Sequence, residues 1–500
     1  MNLDFCDTIC IALYCTIVAL LSVFGFHRWL MLRLYFKHRG ETSPLRSHFV
    51  KLPGVTVQLP LYNEYHVVER LLAAVSEIDY PKNRLQIQVL DDSVDETQDR
   101  ARQTVAQLAG KGFDIQSLHR NERTGFKAGA LAAGLKCARY DFIFVLDADF
   151  VPPSDVLHRA IHYFTDTKIG MVQMRWGHLN RDYSLLTRIQ SIFLDGHLVI
   201  EHTARCRSGR FFNFNGTAGL WRKQSITEAG GWEHDTLTED LDLSYRAQLA
   251  GWKFLFLPEV EIPAELPVEI NAFKSQQHRW TKGAVQTAKK ILLRIWRSSI
   301  PLKLKIEATF HLTANSTYLL MLAMAILMFP VFEIRAELEW RQRMLIIDLP
   351  LFSIATMAIS GFYLVSQKAL YVDWKKQILL LPALMAIGIS LCVNNARAVF
   401  EALVGYETTF KRTPKYGVTE EHIVRGKYAG AKTLVAGVEI SMAIYFVTIL
   451  QSAWSAGLYF GIPFLLLFQT GFLYTGIMSL FQPWFYSRLN VRESSPSENG

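Results

Sequence analysis

Hydrophobic positions divide the chain into two kinds of segment. Residues 9–34 are almost continuously apolar, long enough for one helix to cross a bilayer core of about 30 Å. Residues 41–300 instead alternate short apolar runs with polar turns, as a soluble domain does. Further long apolar runs lie at about 308–332, 345–366, 434–456 and 458–481. The pattern predicts a soluble domain inserted between an N-terminal transmembrane helix and a C-terminal transmembrane region.

Within the soluble segment, β-branched apolar runs predict strands and amphipathic stretches predict helices. The predicted strands are 55–59, 85–90, 113–118 and 141–146. The predicted helices are 64–75, 96–108, 127–136 and 184–205. Alternation of the two types indicates an α/β domain with a parallel sheet covered on both faces. In such sheets the ligand binds at the carboxyl ends of the strands.

The distribution of charge orients these segments. The chain has 53 Lys and Arg against 45 Asp and Glu, and its basic clusters lie beside the apolar runs. We therefore expect cytoplasmic membrane flanks rather than a nucleic-acid surface, with the N-terminus outside and residue 40 onward in the cytoplasm. The basic stretch 281–297 predicts an interfacial helix. The shorter apolar run 377–393 is expected to be interfacial or re-entrant, because a span there would put the basic residues that follow it outside.

Two acidic motifs follow two of the predicted strands. Asp91 and Asp92 follow the second strand, and Asp147 and Asp149 follow the fourth. Since these strand ends meet at one crevice, the four carboxylates are expected to face one ligand. Asp147 and Asp149 suit Mg²⁺ or Mn²⁺ carrying phosphate oxygens, whereas Asp91 and Asp92 would face the base and ribose of a nucleotide. Each motif alone could instead be a helix N-cap, the less favoured alternative.

A lysine and a second acidic pair indicate group transfer. Lys127 stands where a glycine-containing loop enters a helix, a position that favours a diphosphate, although the loop lacks Walker spacing. Asp240, preceded by Glu239, is the candidate base that takes a proton from an attacking hydroxyl during transfer with inversion. A retaining hydrolase would instead need two closely placed carboxylates and no diphosphate site. The pair could also simply complement the helix dipole.

Candidate binding groups follow in the chain. Gln276 and Gln277 offer amides for sugar hydroxyls or phosphate, Arg279 offers a planar fork for phosphate, and Trp280 offers an apolar face for a sugar ring. A tryptophan beside an arginine could also be membrane-interface packing. The stretch 238–280 is predicted to bring the base and the acceptor ring together.

These residues stand in motifs that together resemble the membrane-embedded family 2 glycosyltransferases, and among them the cellulose synthase-like A group of mannan and glucomannan synthases. The resemblance implies a GT-A-type, Rossmann-like catalytic domain and a metal-dependent hexosyltransferase. The motifs are PLYNE (60–64), IQVLDDSVDET (87–97), GFKAGAL (125–131), FVLDADF (144–150), VQMRW (172–176), FFNFNGTAG (211–219), AGGW (229–232), TEDLDLSYRAQLAGWKF (238–254), ELP (265–267) and QQHRW (276–280).

The resemblance also assigns roles. The nucleotide would be bound by Asp91, Asp92, Lys127, Asp147, Arg279 and Lys415. Asp147 and Asp149 would hold Mg²⁺ or Mn²⁺, and Asp240, with Glu239, would form the catalytic pair. The acceptor would be bound by Gln276, Gln277, Trp280, Asn215, Gly216 and Thr217.

Residues 410–415, FKRTPK, resemble the FxVTxK gating loop of cellulose synthases. In that family the loop caps the nucleotide from the membrane side. Here Arg412 replaces the family's valine, so the movement of the loop is expected to differ.

We therefore expect an inverting, processive β-glycan synthase that takes hexose from GDP-mannose or UDP-glucose and passes the product across the membrane. A non-processive enzyme that makes a glycolipid is the main alternative. A transporter or inactive scaffold, with Asn394, Asn395 and Arg397 along a pathway, is a third reading. The expected domains are a transmembrane helix (1–40), a cytoplasmic catalytic domain (41–290), a region of interfacial helices and four to five transmembrane helices (291–490) and a disordered tail (491–500).

Overall fold

A computed structural model describes residues 4–42, 45–337, 341–408, 412–418 and 435–493. Most of the expected tail, 494–500, therefore lies outside the described residues. The centre of the catalytic domain is one seven-stranded sheet. Its strands are β1 (Val55–Leu61), β2 (Leu85–Asp91), β3 (Asp114–His119), β4 (Phe142–Val145), β5 (Ile169–His178), β6 (Gly219–Arg222) and β7 (Lys253–Ala264).

The strand order is β3-β2-β1-β4-β6-β5-β7. The four predicted strands, β1 to β4, are parallel, as expected. The expectation of a wholly parallel sheet is wrong, because β6 runs antiparallel to both β4 and β5. The loop before β6 packs at the carboxyl end of β4, where Ala218 N donates to Val145 O. Because the chain enters β6 at the carboxyl end of β4, β6 runs in the direction opposite to β4.

Helices cover both faces of the sheet. Along β4, Phe142 and Phe144 belong to one buried cluster, whereas Ile143 and Val145 belong to another. This alternation follows from the twofold period of a strand, and it explains why nearly every position of β4 is apolar. The helices of the domain are α2 (Val68–Ser76), α3 (Thr97–Gly110), α4 (Phe126–Cys137), α5 (Val156–Ile161), α6 (Leu185–Asp195), α7 (Thr203–Arg207), α8 (Lys223–Glu228) and α9 (Glu239–Leu249). They follow α1 (Phe5–His38), the first long apolar helix.

The helix predicted over 184–205 is present but not uniform. Ser184 caps its start by accepting from Thr187 N. Between α6 and α7, residues Gly196–His202 form a π-helix. Such a widened turn leaves no trace in the apolar spacing, so the sequence pattern did not reveal it.

The remaining helices follow the catalytic domain. They are α10 (Ile270–Arg297), α11 (Leu302–Thr313), α12 (Thr317–Glu337), α13 (Arg341–Leu370), α14 (Leu381–Val404), α15 (Val435–Ser455) and α16 (Ile462–Glu493). Within the described residues, five stretches are long and apolar enough to cross a membrane: Phe5–His38, Leu302–Arg335, Trp374–Val404, Val435–Ser455 and Tyr459–Gln482. The predicted run 345–366 lies inside α13.

The stretch Trp374–Val404 includes the run that was expected to be interfacial or re-entrant. Its length would permit a span, but the chain contacts the catalytic domain on both sides of it. Before it, Gln367 Nε2 donates to Asp195 Oδ2 over 2.8 Å. After it, Thr408 Oγ1 accepts from Lys282 Nζ over 2.9 Å. Both flanks of the stretch therefore contact the catalytic domain, and the interfacial or re-entrant arrangement stays a prediction.

Candidate active site

One cavity lies at the carboxyl ends of the strands and gathers most of the predicted site residues. Three of the predicted residues, Asp91, Thr217 and Gln277, are not part of its lining. The predicted residues that line it are Asp92, Lys127, Asp147, Asp149, Asn215, Gly216, Glu239, Asp240, Gln276, Arg279, Trp280 and Lys415.

Asp91 and Thr217 lie behind the cavity wall. Asp91 is fully buried, and its Oδ1 accepts from Ser93 N over 2.9 Å. Thr217 Oγ1 accepts from Asp147 N over 2.8 Å. Both side chains therefore shape the backbone that presents Asp92 and Asp147.

Lysines face the two carboxylates that follow β4. Lys127 Nζ donates to Asp147 Oδ1 and, over 2.9 Å, to Gly216 O. Lys415 Nζ donates to Asp149 Oδ2. Burial alone would lower the pKa of Lys127, but the carboxylates of Asp147 and Glu239 raise it. The lysine is therefore held as a cation at this end of the cavity.

The same carboxylates fit a divalent cation. Asp149 Oδ1 is buried and has no hydrogen-bond partner, so one oxygen of the pair has unused acceptor capacity. Carboxylate oxygens are the donors that Mg²⁺ and Mn²⁺ prefer. Asp147 and Asp149 therefore offer the oxygen ligands that such a cation prefers. One oxygen of each carboxylate also accepts a hydrogen bond from a lysine ammonium.

Asp240 occupies a different environment at the start of α9. Burial, together with the neighbouring carboxylate of Glu239, raises the pKa of Asp240 to about 7. Its Oδ1 accepts from Leu241 N over 2.8 Å. Burial likewise raises the pKa of Glu239, whereas Lys127 opposes that shift. Asp240 can therefore exchange a proton near neutral pH.

Gly216 brings the glycine-rich loop against this carboxyl. Its φ of +81° favours glycine. A Cβ at this position would lie 3.1 Å from Asp240 Oδ2. The loop backbone therefore approaches the candidate base more closely than most side chains would permit.

Helix α10 brings the far end of the 238–280 stretch to the same place. Gln276, Arg279 and Trp280 line the cavity together with Asp240. The close approach of α10 to the start of α9 depends on Gly283, where a Cβ would lie 2.5 Å from Thr238 Cγ2. The prediction that the two ends of the stretch meet is confirmed.

Residues 412–418 close the cavity from the other side. Arg412 forms an ion pair with Glu64, and Tyr416 N donates to Glu265 Oε1 over 2.8 Å. Burial raises the pKa of Glu64 to about 7, although Arg412 opposes the shift. Phe410 and Lys411 of the predicted gating motif lie outside the described residues.

The assignment of roles from sequence missed several lining residues. Arg123 lies over the ring of Tyr62, with its guanidinium carbon 3.3 Å from the ring centroid. Arg120 Nε donates to Asp92 Oδ1 over 2.8 Å and so holds that carboxylate. Tyr62 and Glu64 belong to the PLYNE motif, so the sequence could have indicated them as site residues. No comparable signal pointed to Arg120, which lies between motifs.

A second acidic group among the described residues lies outside the cavity. It comprises Glu233, Asp235 and Asp242. Lys290 Nζ stands among them, 2.7 Å from Asp235 Oδ1 and 3.1 Å from Asp242 Oδ1. Arg246 also pairs with Glu233 and Asp242, so two cations contact these carboxylates and the group is an ion-pair network.

The residues considered for a transport pathway instead tie helices together. Asn394 Nδ2 donates to Lys274 O and to Asn395 Oδ1, over 2.8 and 2.9 Å. Arg397 Nε donates to Glu401 Oε1 over 2.8 Å. These contacts anchor α14 to α10 and to its own next turn.

Comparison with known proteins places this cavity in a family. The family model described as "Glycosyltransferase like family 2" matches residues 53–283. This segment is a family 2 glycosyltransferase domain. It contains the whole seven-stranded sheet and the first part of α10, including Trp280.

Curated relatives match about half of the chain. Glucomannan 4-beta-mannosyltransferase 2 of Arabidopsis thaliana is 42% identical over 251 residues, covering 49% of this chain and 47% of the relative. Glucomannan 4-beta-mannosyltransferase 1 of Oryza sativa subsp. japonica is 40% identical over 268 residues, covering 53% of this chain and 51% of the relative. The matched part thus spans about half the length of these relatives.

A solved structure shares the fold. A mannosyltransferase from Pyrobaculum calidifontis, determined in complex with GDP-Man and Mn²⁺, is similar at a TM-score of 0.51 and 19% identity. The match covers 80% of this chain and 99% of that protein. It confirms the GT-A-type expectation for the catalytic domain.

Proposed function

We propose that this chain is an inverting hexosyltransferase that builds a β-linked glycan from a nucleotide-diphosphate sugar. The preferred donor is GDP-mannose, with UDP-glucose as the second candidate. The names of the 40–42% identical relatives support mannosyl transfer to glucomannan. The GDP-Man and Mn²⁺ bound by the structural neighbour support the choice of donor and of a divalent cation.

The observation that carries the proposal is the position of Asp240. Its partly buried carboxyl shares one cavity with Asp149, on the donor side, and with Trp280, on α10. A candidate base that shares a cavity with a cation site and an aromatic platform is suited to glycosyl transfer. An isolated acidic helix start would lack both neighbours.

In the proposed reaction, Asp240 takes the proton from the acceptor hydroxyl as its oxygen attacks the anomeric carbon. The bond from that carbon to the diphosphate breaks on the opposite face, so the configuration inverts. Lys127, Arg279 and Lys415 balance the charge that develops on the leaving diphosphate. Asp147 and Asp149 would hold Mg²⁺ or Mn²⁺, which supplies further positive charge to the diphosphate.

The membrane helices extend the proposal to processive synthesis. Trp280 lies on α10, which packs against α14 and α16 in the helical region that follows the catalytic domain. An acceptor stacked on Trp280 would therefore end at the catalytic base and lead toward the apolar helices. The catalytic domain faces the cytoplasm, where nucleotide sugars are made, and the product crosses the bilayer.

Product analysis tests this proposal. The full chain, purified in detergent, is incubated with radiolabelled GDP-mannose or UDP-glucose and either Mn²⁺ or Mg²⁺. We expect long chains from GDP-mannose that remain after lipid extraction, with β linkages identified by NMR. Short, lipid-extractable products would support the glycolipid alternative, and α linkages would contradict inversion. The variant Asp240→Asn provides the background signal.

A further inference from the structure

The π-helix Gly196–His202 stands out among the helices of the catalytic domain. Widened turns of this kind are rare and often occur at functional sites. This one carries His197, Glu201 and His202, and the last two are buried. Sequence reasoning gave none of the three a role.

Two of these side chains meet the glycine-rich loop. Asn215 Nδ2 lies 3.0 Å from His202 Nε2, and His197 Nε2 lies 3.4 Å from Asn215 Oδ1. Asn213 Nδ2 also donates to Asn215 Oδ1 over 2.7 Å. An amide nitrogen can only donate, so His202 Nε2 accepts, and this fixes which way the amide points.

The imidazole of His202 is suited to that role. Burial lowers the pKa of His202 well below its ordinary value, and the neighbouring His197 lowers it further. A neutral ring retains one nitrogen acceptor. His202 also packs against Phe212 and Phe256, with ring centroids 5.2 and 5.3 Å away. This packing fixes the orientation of the imidazole ring.

Asn215 belongs to the cavity as well as to this contact. It is only partly buried, and it lines the cavity next to Gly216, where an added Cβ would lie 3.1 Å from Asp240 Oδ2. One hydrogen of its Nδ2 points to His202, which leaves the second for a ligand. A primary amide beside the catalytic base is suited to a sugar hydroxyl.

We propose that the π-helix positions the acceptor sugar: His202 orients the Asn215 amide to hold an acceptor hydroxyl beside Asp240. His202 is a positioning residue in this scheme, because it acts through Asn215. The inference rests on the proposed glycosyl transfer, and it adds the elements that select and place the acceptor.

Charged contacts brace the π-helix against the membrane helices. Glu201 pairs with Arg28 of α1 and with Arg205 of α7, the latter over 3.0 Å. Arg205 Nε also lies 3.0 Å from Glu307 Oε1 of α11, and Glu307 Oε2 lies 3.1 Å from His27 Nε2. Buried charges that are paired on several sides hold a defined geometry. The acceptor position is therefore tied to the first membrane helix.

The test uses the purified full chain with GDP-mannose, Mn²⁺ and a manno-oligosaccharide of fixed length. For His202→Ala we expect the acceptor KM to rise about tenfold, since the Asn215 amide loses its partner. The donor KM and the slow hydrolysis of GDP-mannose without acceptor should stay within about twofold of wild type. His202→Gln, which can still accept from Asn215, should recover most of the acceptor affinity. His162→Ala, a histidine outside the cavity lining that contacts Phe49 N, is the matched control.

A double-mutant cycle separates positioning from packing. If His202 acts through Asn215, then His202→Ala combined with Asn215→Ala should be no worse than Asn215→Ala alone. Additive effects, an equal loss of donor hydrolysis and transfer, or no rescue by His202→Gln would each overturn the inference. A wild-type protein that hydrolyses GDP-mannose but extends no oligosaccharide would contradict the proposed function instead. Should His202→Ala fail to fold, the cycle is run with His202→Phe, which keeps a packed ring but cannot accept from Asn215 and should likewise raise the acceptor KM about tenfold.

Discussion

Two acidic pairs share the cavity but have opposite surroundings. Asp147 and Asp149, after β4, each accept a hydrogen bond from the ammonium of a lysine. Glu239 and Asp240, at the start of α9, are adjacent to each other and are desolvated. The first pair is arranged to hold positive charge, and the second is arranged to accept a proton.

The difference shows that environment divides the chemistry between identical functional groups. A cation next to a carboxylate favours its ionised form, whereas burial and a like charge favour its protonated form. Donor binding and proton transfer can therefore be separated by mutation. The predictions below exploit that separation.

The largest effect is expected at the base. Asp240→Asn should lower hexose transfer by about a thousandfold, because an amide cannot take the proton from the acceptor hydroxyl. The rate is measured from transfer of label to product under saturating donor. Asp235→Asn, an acid outside the cavity lining, should remain within about twofold. A transfer rate for Asp240→Asn close to that of wild type would remove the catalytic assignment.

The next largest effect is expected at the donor carboxylates. Asp149→Asn should raise the Mn²⁺ concentration needed for half-maximal activity by about 10- to 100-fold, because one oxygen of the pair loses its charge. Chelation with EDTA should stop the wild-type reaction, and added Mn²⁺ or Mg²⁺ should restore it. An unchanged metal titration for Asp149→Asn would show that the cation, if any, is held elsewhere.

The pH dependence is expected to be smaller. The pKa of Asp240 is raised from its ordinary value to about 7, and only the ionised base can take a proton. Transfer should therefore increase with pH and be about tenfold slower at pH 6 than at pH 8. The pKa of Glu64 is also raised to about 7. The transfer rate is therefore measured against pH in single turnovers, for the wild type and for Glu64→Gln. A profile that flattens in that variant would point to Glu64 rather than Asp240.

The smallest effect is expected at the closing segment. Arg412→Val, which restores the family's residue, should raise the donor KM by only about fivefold, because Glu64 can take up a proton when its partner is lost. The double variant with Glu64→Gln should be no worse than Arg412→Val alone, since the two residues share one ion pair. Initial rates at increasing donor concentrations give the donor KM of the single variant and of the double variant. Additive losses would mean that Arg412 contacts the donor independently of Glu64.

Strand and helix periodicity predicted β1 to β4 and the helices between them, because those elements follow one another locally. Motif spacing also placed Asp240 and Trp280 in one cavity, since the residues between them form only the rest of α9, strand β7 and the first turns of α10. Strand β6 was missed because Gly219–Arg222 is four residues long and follows a glycine-rich loop. Such a segment has too few positions to show an alternating pattern.

Contacts between distant parts of the chain could not be predicted. Lys415 reaches Asp149 across 266 residues of sequence, and Glu201 reaches Arg28 across 173. No local pattern encodes these pairs, which exist only after the membrane helices have packed on the catalytic domain. The π-helix belongs to the same class, because His202 acquires its role only once Asn215 is in place.

The central claim is that one cavity binds the donor with one acidic pair and activates the acceptor with the other. Calorimetric titration of GDP with Mn²⁺ into the purified wild type, Asp149→Asn and Asp240→Asn tests it most directly. We predict that Asp240→Asn binds the nucleotide as tightly as wild type while transferring no sugar, and that Asp149→Asn binds it at least about tenfold more weakly. Equal binding by all three proteins, or a loss of binding confined to Asp240→Asn, would contradict the account.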